Sequence, residues 1–329
     1  MQQIPVHQFL TKAERRQLLQ KNDRKAILEL LHTWGWIVAA FALVYFLPSV
    51  LTVIIALFVL GGKQLACAII MHDTSHRSLF TNPQVNDFVG KWLGAYPIFN
   101  DMLQYRPYHL QHHLYTGLEE DPDLLLTKGY PAGKKSMLRK WVRDLSGRTG
   151  LRGQIGLFLM QIGYLKYNLG NKVERHEKAA EPKHLLRTAA RRLPGPLMAN
   201  ALMFGVLWLI GAPWLYVLWI GALLTTFQFS TRVRSMAEHA MSHRPTDPLF
   251  NTRTTYANWL ERMLFAPHHV NYHMEHHLLM TVPSYHLPKM HQLLLEKGFY
   301  DQYGMLEKGY LPILRRAMQD RANPVAPVG

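Results

Sequence analysis

The chain of 329 residues has one cysteine, Cys67, and few acids: 22 Asp and Glu stand against 37 Lys and Arg, a formal net charge of +15. A single thiol cannot close an internal disulfide, nor hold an iron–sulfur centre that needs several thiolates. Any redox chemistry must therefore use other ligands or an external donor. Charge itself is missing from two long stretches, residues 193–231 (39 residues) and 30–62 (33 residues), which contain no Asp, Glu, Lys or Arg. The first thirty residues are polar rather than apolar, so no cleavable signal sequence is expected. Neither an internal repeat nor a low-complexity tract stands out beyond a short polar tail at 321–329.

The uncharged stretches are long enough for helical hairpins built from spans of roughly 20 residues each. Gly211-Ala212-Pro213 reads as one hairpin turn and Pro48-Ser49 as the other, and the second span continues past Lys63 to His72. Four spans are expected, near 32–48, 50–71, 196–211 and 213–232. Buried helices of a large soluble core are the competing reading, but uncharged runs of this length are the mark of a membrane protein. An even number of spans puts both termini on one side. Lys12, Arg15, Arg16, Lys21, Arg24 and Lys25, the central segment and the C-terminal region all fall there. The positive-inside rule makes that side cytoplasmic. The expected fold class is all-α: a four-span transmembrane helical bundle in a bacterial inner membrane, with a cytoplasmic helical cap. Cytoplasmic segments 1–31 and 296–329 flank a membrane domain at 32–295.

Residues 128–192 hold 16 Lys and Arg against 4 Asp and Glu. Such a surface is attracted to anionic headgroups. Within it, residues 151–169, with Leu157, Phe158, Leu159, Ile162 and Tyr164, fit an amphipathic helix lying in the interface. Nucleic-acid binding would need a reader motif beside the charge, and none is present. A topology signal is the simpler account of these basic residues.

Against this background stand three histidine clusters: His72-Asp73-Thr74-Ser75-His76, His109-Leu110-Gln111-His112-His113 and His273-Met274-Glu275-His276-His277. Positions i, i+3 and i+4 share a helix face, so each cluster can aim two or three imidazoles at one point. The clusters hold eight histidines, and Glu238-His239-Ala240-Met241-Ser242-His243 adds one or two more. A zinc site takes about three or four protein ligands, so two metals are the simpler account. Imidazole suits zinc, copper, iron and nickel alike, which leaves the element open. The two-histidine helix of zinc proteases needs Glu directly after its first histidine, and here that residue is Asp73. A metal transporter would place its site near the bilayer midplane on broken helices, whereas these histidines are expected at or beyond the cytoplasmic span ends.

The order of the three clusters, with Asn271 and Tyr272 before the last and Pro283, Tyr285, Leu287, Pro288 and His291 after it, resembles the membrane fatty acid desaturase and hydroxylase superfamily over about residues 35–295. This resemblance implies a non-haem di-iron centre, with O2 as co-substrate. It also implies a fatty acyl substrate that is desaturated, or alternatively a lipid, carotenoid or other hydrophobic metabolite that is hydroxylated. Carried over by position, His72, His76, His109, His112, His113, His273, His276 and His277 would ligate two iron ions, with His239 as the ninth ligand. His243, Asp73, Glu238, Asp123 and His269 are the further candidates for the metal or for the shell around it. Ligating imidazoles usually donate their other N–H to a carboxylate; Asp73, Glu238 and Asp123 are favoured for this over Asp121 and Glu275. His268 and His269 do not continue the cluster spacing and are expected in supporting roles, and His7, His32, His176 and His184 at the surface. No cytochrome b5 or ferredoxin domain is visible, so a separate electron donor of one of those kinds is expected.

Overall fold

The computed structural model describes residues 6–170, 172–242 and 248–320. After α1 (Lys12–Leu18) come the two longest helices, α2 (Asp23–Phe46) and α3 (Val50–Ser75). Each of the three starts on a side chain that accepts a backbone N–H: Thr11 from Glu14, Asn22 from Lys25 and Ser49 from Thr52. At 24 and 26 residues, α2 and α3 are long and apolar enough to cross a membrane, and among the described residues no other helix is.

The chain then forms α4 (Pro83–Val89), a π-helical turn, a 3₁₀ turn at Tyr96–Ile98 and α5 (Met102–Tyr115). The basic segment folds as α6 (Leu124–Thr127), α7 (Lys134–Leu145), α8 (Arg148–Gln161) and α9 (Pro182–Arg192). A second apolar hairpin follows as α10 (Pro194–Leu209), α11 (Tyr216–Leu224) and α12 (Thr226–His239). Shorter helices complete the chain: α13 (Trp259–Leu264), α14 (His273–Leu278), α15 (Leu287–Glu296), α16 (Phe299–Tyr303) and α17 (Tyr310–Ala317). The one departure from an all-helical fold among the described residues is a two-residue parallel pair, β1 (Thr254–Thr255) against β2 (Leu306–Glu307).

Of the four expected spans, two, α2 and α3, are single helices long and apolar enough to cross a membrane among the described residues, and the other two take a different form. α10 has 16 residues, about 24 Å of helix against a hydrocarbon core of about 30 Å. The stretch expected as the fourth span is divided at Thr225, whose φ −116°, ψ −86° lies off the helical region. The Thr225 hydroxyl bonds back to Gly221 O at 2.6 Å and the Thr226 hydroxyl to Leu57 O on α3. These side chains take up carbonyls at the break and let α12 leave in a new direction. The interface helix expected over 151–169 also ends earlier, at Gln161, with Leu151, Ile155 and Phe158 exposed.

α3 is the central element, packed against α2, α5, α11, α12 and α13. Two glycines make this possible. A Cβ on Gly61 would lie 2.7 Å from the backbone nitrogen of Phe227, and one on Gly62 would lie 2.5 Å from Met263 O. Backbone therefore meets backbone where α3 crosses α12 and α13, a spacing that only glycine permits. Nearby, the fully buried Trp219 donates to Pro97 O at 3.1 Å, and Gln64 donates to Trp219 O at 2.8 Å. Large exposed apolar side chains gather on α2, on the start of α3 and on α10, including Val38, Phe46, Leu51, Ile54, Leu202 and Leu209.

The first and last described helices pack into the body. Phe9, Leu10 and Leu18 share a core with Met274, Leu294 and Phe299, and Ile313 and Ala317 of α17 pack with Val233 and Met236 of α12. Segments from near both ends of the described chain thus pack beside the histidine-bearing helices α12 and α14.

Candidate metal centre

The end of α3 carries His72, and His76 is its C-cap. The Nδ1 of His72 lies 2.7 Å from Asp73 Oδ1, so its Nε2 is turned away from the carboxylate, and that atom has no hydrogen-bond partner in the buried interior. α5 presents His109 and His113 four residues apart, with His112 on the neighbouring face. His112 Nδ1 lies 2.8 Å from Asp121 Oδ1. His239 is the last residue of α12, its Nδ1 2.9 Å from the carbonyl of Asn251. α14 contributes His273, His276 and His277.

These nine side chains form two adjoining sets. His72, His76, His109, His113 and His276 make one, and His112, His239, His273 and His277 the other; in each set the potential ligand atoms lie within 4.8 Å of one another. α5 and α14 supply both sets because residues at i and i+4 point to one side and the residue at the intervening position to the other. The His113 and His277 rings, one from each set, have centroids 4.2 Å apart.

Within the sets the Nε2 atoms approach closely: 3.0 Å for His109–His113 and for His113–His276, 2.8 Å for His239–His273 and 3.1 Å for His273–His277. Burial, reinforced by the surrounding imidazoles, holds His109, His113, His276 and His277 well below the ordinary histidine range. His239 is pushed down to about 3 by burial and by the nearby His112. Neutral imidazoles offer lone pairs, and lone pairs converging at 3 Å in a buried space suit a shared cation. His112 goes the other way: burial opposes its charge, but the hydrogen bond and charge of Asp121 outweigh burial and raise it. This is the carboxylate–histidine pairing that fixes a ligating tautomer.

The structure revises the carboxylates. Asp121, not Asp123, bonds His112 directly; Asp123 is engaged by the Tyr108 hydroxyl and lies 3.7 Å from His112. Glu238 pairs with Arg234 at 2.7 Å and lies 3.6 Å from His273 Nδ1. Its carboxyl is pushed up to about 7 by burial, against the pull of Arg234. Glu275 turns away from the histidine sets to Thr254, Tyr300 and His291.

His269 lies outside both sets, and His268 bonds Thr33 Oγ1 at 2.9 Å. His243 falls outside the described residues. His7 and His32 are exposed as expected. His176 and His184 are instead half-buried and stacked on each other with centroids 4.6 Å apart, a pairing that their separation in sequence does not announce.

A cavity of about 690 Å³ opens beside His109, His112, His239 and His273. Leu65, Ala68 and Met71 of α3 form an apolar wall, α12 a polar one, and Lys140, Arg143 and Arg152 lie on the side of the basic segment.

Helical ends that gather two neighbouring imidazole sets over a cavity define a helical protein whose histidine clusters could hold metal ions. The family model for fatty acid desaturases matches residues 45–308, and the chain belongs to that family. It is an oxidoreductase. It is similar to the dihydrorhizobitoxine desaturase of Bradyrhizobium elkanii, with 28% identity across 75% of this chain and 68% of that one. It also resembles the sn-1 oleoyl-lipid 12-desaturases of Synechocystis sp. (24% identity, 88% of this chain and 81% of the relative) and of Arthrospira platensis (27%, 77% and 69%).

Proposed function

We propose that the protein is an O2-dependent di-iron desaturase, with His72, His76, His109, His113 and His276 holding one iron and His112, His239, His273 and His277 the other. The observation that carries this reading is the spacing within the sets. For metal–nitrogen bonds of about 2.1 Å, neighbouring ligands lie about 3.0 Å apart in an octahedron and about 3.4 Å apart in a tetrahedron. The Nε2 contacts of 2.8 to 3.1 Å favour the octahedral ion. Sets of five and four imidazoles would hold the two ions without saturating them, and open positions are what O2 chemistry requires.

The iron pair supplies the capacity to reduce O2 and to break an unactivated C–H bond. The balanced reaction is –CH2–CH2– + O2 + 2 electrons + 2 protons → –CH=CH– + 2 H2O. Asp73 and Asp121 fix the tautomers of His72 and His112, so that Nε2 is the free atom in each. The cavity walls position the carbon chain, since a C–H bond offers no polar handle and geometry must select it. The relatives' names cite an oleoyl lipid and dihydrorhizobitoxine, so an acyl chain is one candidate substrate and the cavity must decide.

The electrons come from a separate ferredoxin- or cytochrome b5-like donor docking on the basic face. In the membrane, α2, α3, α10 and α11 with the first turns of α12 serve as four crossings of the bilayer, with the break at Thr225 tolerated because the Thr225 and Thr226 hydroxyls take up carbonyls there. Both termini and the metal centre then face the cytoplasm, and segments 1–31 and 296–329 flank the membrane domain.

Metal analysis of active protein should give close to two irons per chain, and mass spectrometry should show a product lighter by two hydrogens. Stoichiometric zinc without iron in active preparations overturns the di-iron assignment. A product heavier by one oxygen replaces desaturation with hydroxylation. A chelator that strips iron should abolish O2 consumption, and ferrous iron should restore it.

A further inference from the structure

The cavity wall formed by α12 is polar where a hydrocarbon chain would need it apolar. Thr231, Arg234, Ser235 and Glu238 stand at i, i+3, i+4 and i+7, a single helix face, and all four line the cavity as the helix runs down to His239. The Arg234 side chain is 17% exposed, and its Nε donates to Glu238 Oε1 at 2.7 Å. Among the described residues this is the guanidinium's only hydrogen bond, which leaves Nη1 and Nη2 open on the cavity. One turn earlier, Thr231 Oγ1 is buried with no hydrogen-bond partner.

Other charges on the cavity differ: Arg232 is gripped through two nitrogens by Asp144, Asp121 is taken by His112 and Asp123 by Tyr108, while Arg143 and Arg152 across the cavity are exposed to solvent. Arg234 is therefore the cavity's uncommitted half-buried fork, placed on the helix that delivers His239. Covering its open donors without giving them partners would be destabilising. An acyl tail lying along this wall would strip the remaining water from Nη1, Nη2 and Thr231 without replacing any hydrogen bond. A planar oxyanion, in contrast, matches the fork with two parallel bonds.

We propose that Arg234 is the anchor for a carboxylate or phosphate group of the substrate, which binds head inward beside the metal centre with its carbon chain along Leu65, Ala68 and Met71. The substrate class is then an oxyanion-bearing amphiphile whose reacting carbons lie a few bonds from its charge, not the distal part of a long hydrocarbon tail. This rests on the desaturase reading for the reaction, but not for the binding.

The test measures binding of octanoate, octyl phosphate and octanol to the purified full-length protein by tryptophan fluorescence and thermal shift, with iron content determined on the same samples. Octanoate or octyl phosphate should bind the wild type, and Arg234→Gln should weaken that binding roughly 10- to 100-fold while leaving octanol unaffected. The tighter of the two anions identifies the head group. Thr231→Val, which preserves shape, should weaken the same ligand by a smaller factor and guards against a folding defect in the arginine variant. Octanol binding as tightly as both anions, or anion binding indifferent to Arg234→Gln in a folded protein, overturns the proposal. Arginine-dependent binding in protein that never takes up iron supports the anchor while removing the desaturase reading, so the two fail separately.

Discussion

At the scale of single residues, nine imidazoles alone do not make the centre; the groups behind them orient it. His72 leans on Asp73, His112 on Asp121 and His239 on the Asn251 carbonyl, each through Nδ1. Carboxylates in this position typically influence metal affinity by about 10- to 100-fold. Asp121→Asn should accordingly lower metal retention at the set containing His112 by about tenfold, read as metal content after graded chelator dialysis, whereas Asp123→Asn should have the smaller effect. Equal losses would mean that the direct hydrogen bond carries no special weight. The histidines were legible because helical spacing is a local property. Asp121 was not, since it reaches His112 across a turn whose path has no period, and two aspartates two residues apart look equivalent until the chain is folded.

Among the elements, close helix crossing is what brings the ligands together. Alanine normally stabilises a helix relative to glycine by about 0.5–1 kcal/mol, and Gly35 on α2 has nothing within 4 Å of an added Cβ. Gly35→Ala should therefore be neutral or slightly stabilising. Gly61→Ala should destabilise by about 1–3 kcal/mol, because its Cβ meets backbone atoms of Thr226 and Phe227 on α12 as well as the Thr226 hydroxyl. It should also loosen metal binding, since the register of α3 against α12 sets His72 relative to His239. Thermal unfolding of the two variants beside the wild type checks this; similar midpoints for both would show that the crossing can relax. Hydropathy placed the turn between α2 and α3 correctly at Pro48-Ser49, but it missed the first nine residues of α2 and could not see the division at Thr225. An uncharged run records only solvent preference, and the break depends on hydroxyl bonds to Gly221 and to Leu57 of another helix.

For the whole molecule, the proposed arrangement in the bilayer leads to a labelling experiment. Cys67 is buried, so it provides little background to a thiol reagent. Pro48→Cys, in the exposed turn between α2 and α3, should react with a membrane-impermeant maleimide on intact cells, and Lys21→Cys only after the membrane is opened. The reverse pattern would invert the topology and move the histidines to the other side. Composition and spacing by themselves determined that this chain is helical, that it carries long apolar segments and that its histidines come in groups that could hold a metal. All of these follow from short-range periodicity and from the solvent preference of side chains. Only the tertiary structure decided how five and four imidazoles divide into two sets, which aspartate supports His112, and that the cavity wall beside these imidazoles is polar and carries Arg234. Those depend on which helix faces meet, and facing is fixed by packing between segments far apart in the chain, not by the order of residues within any one of them.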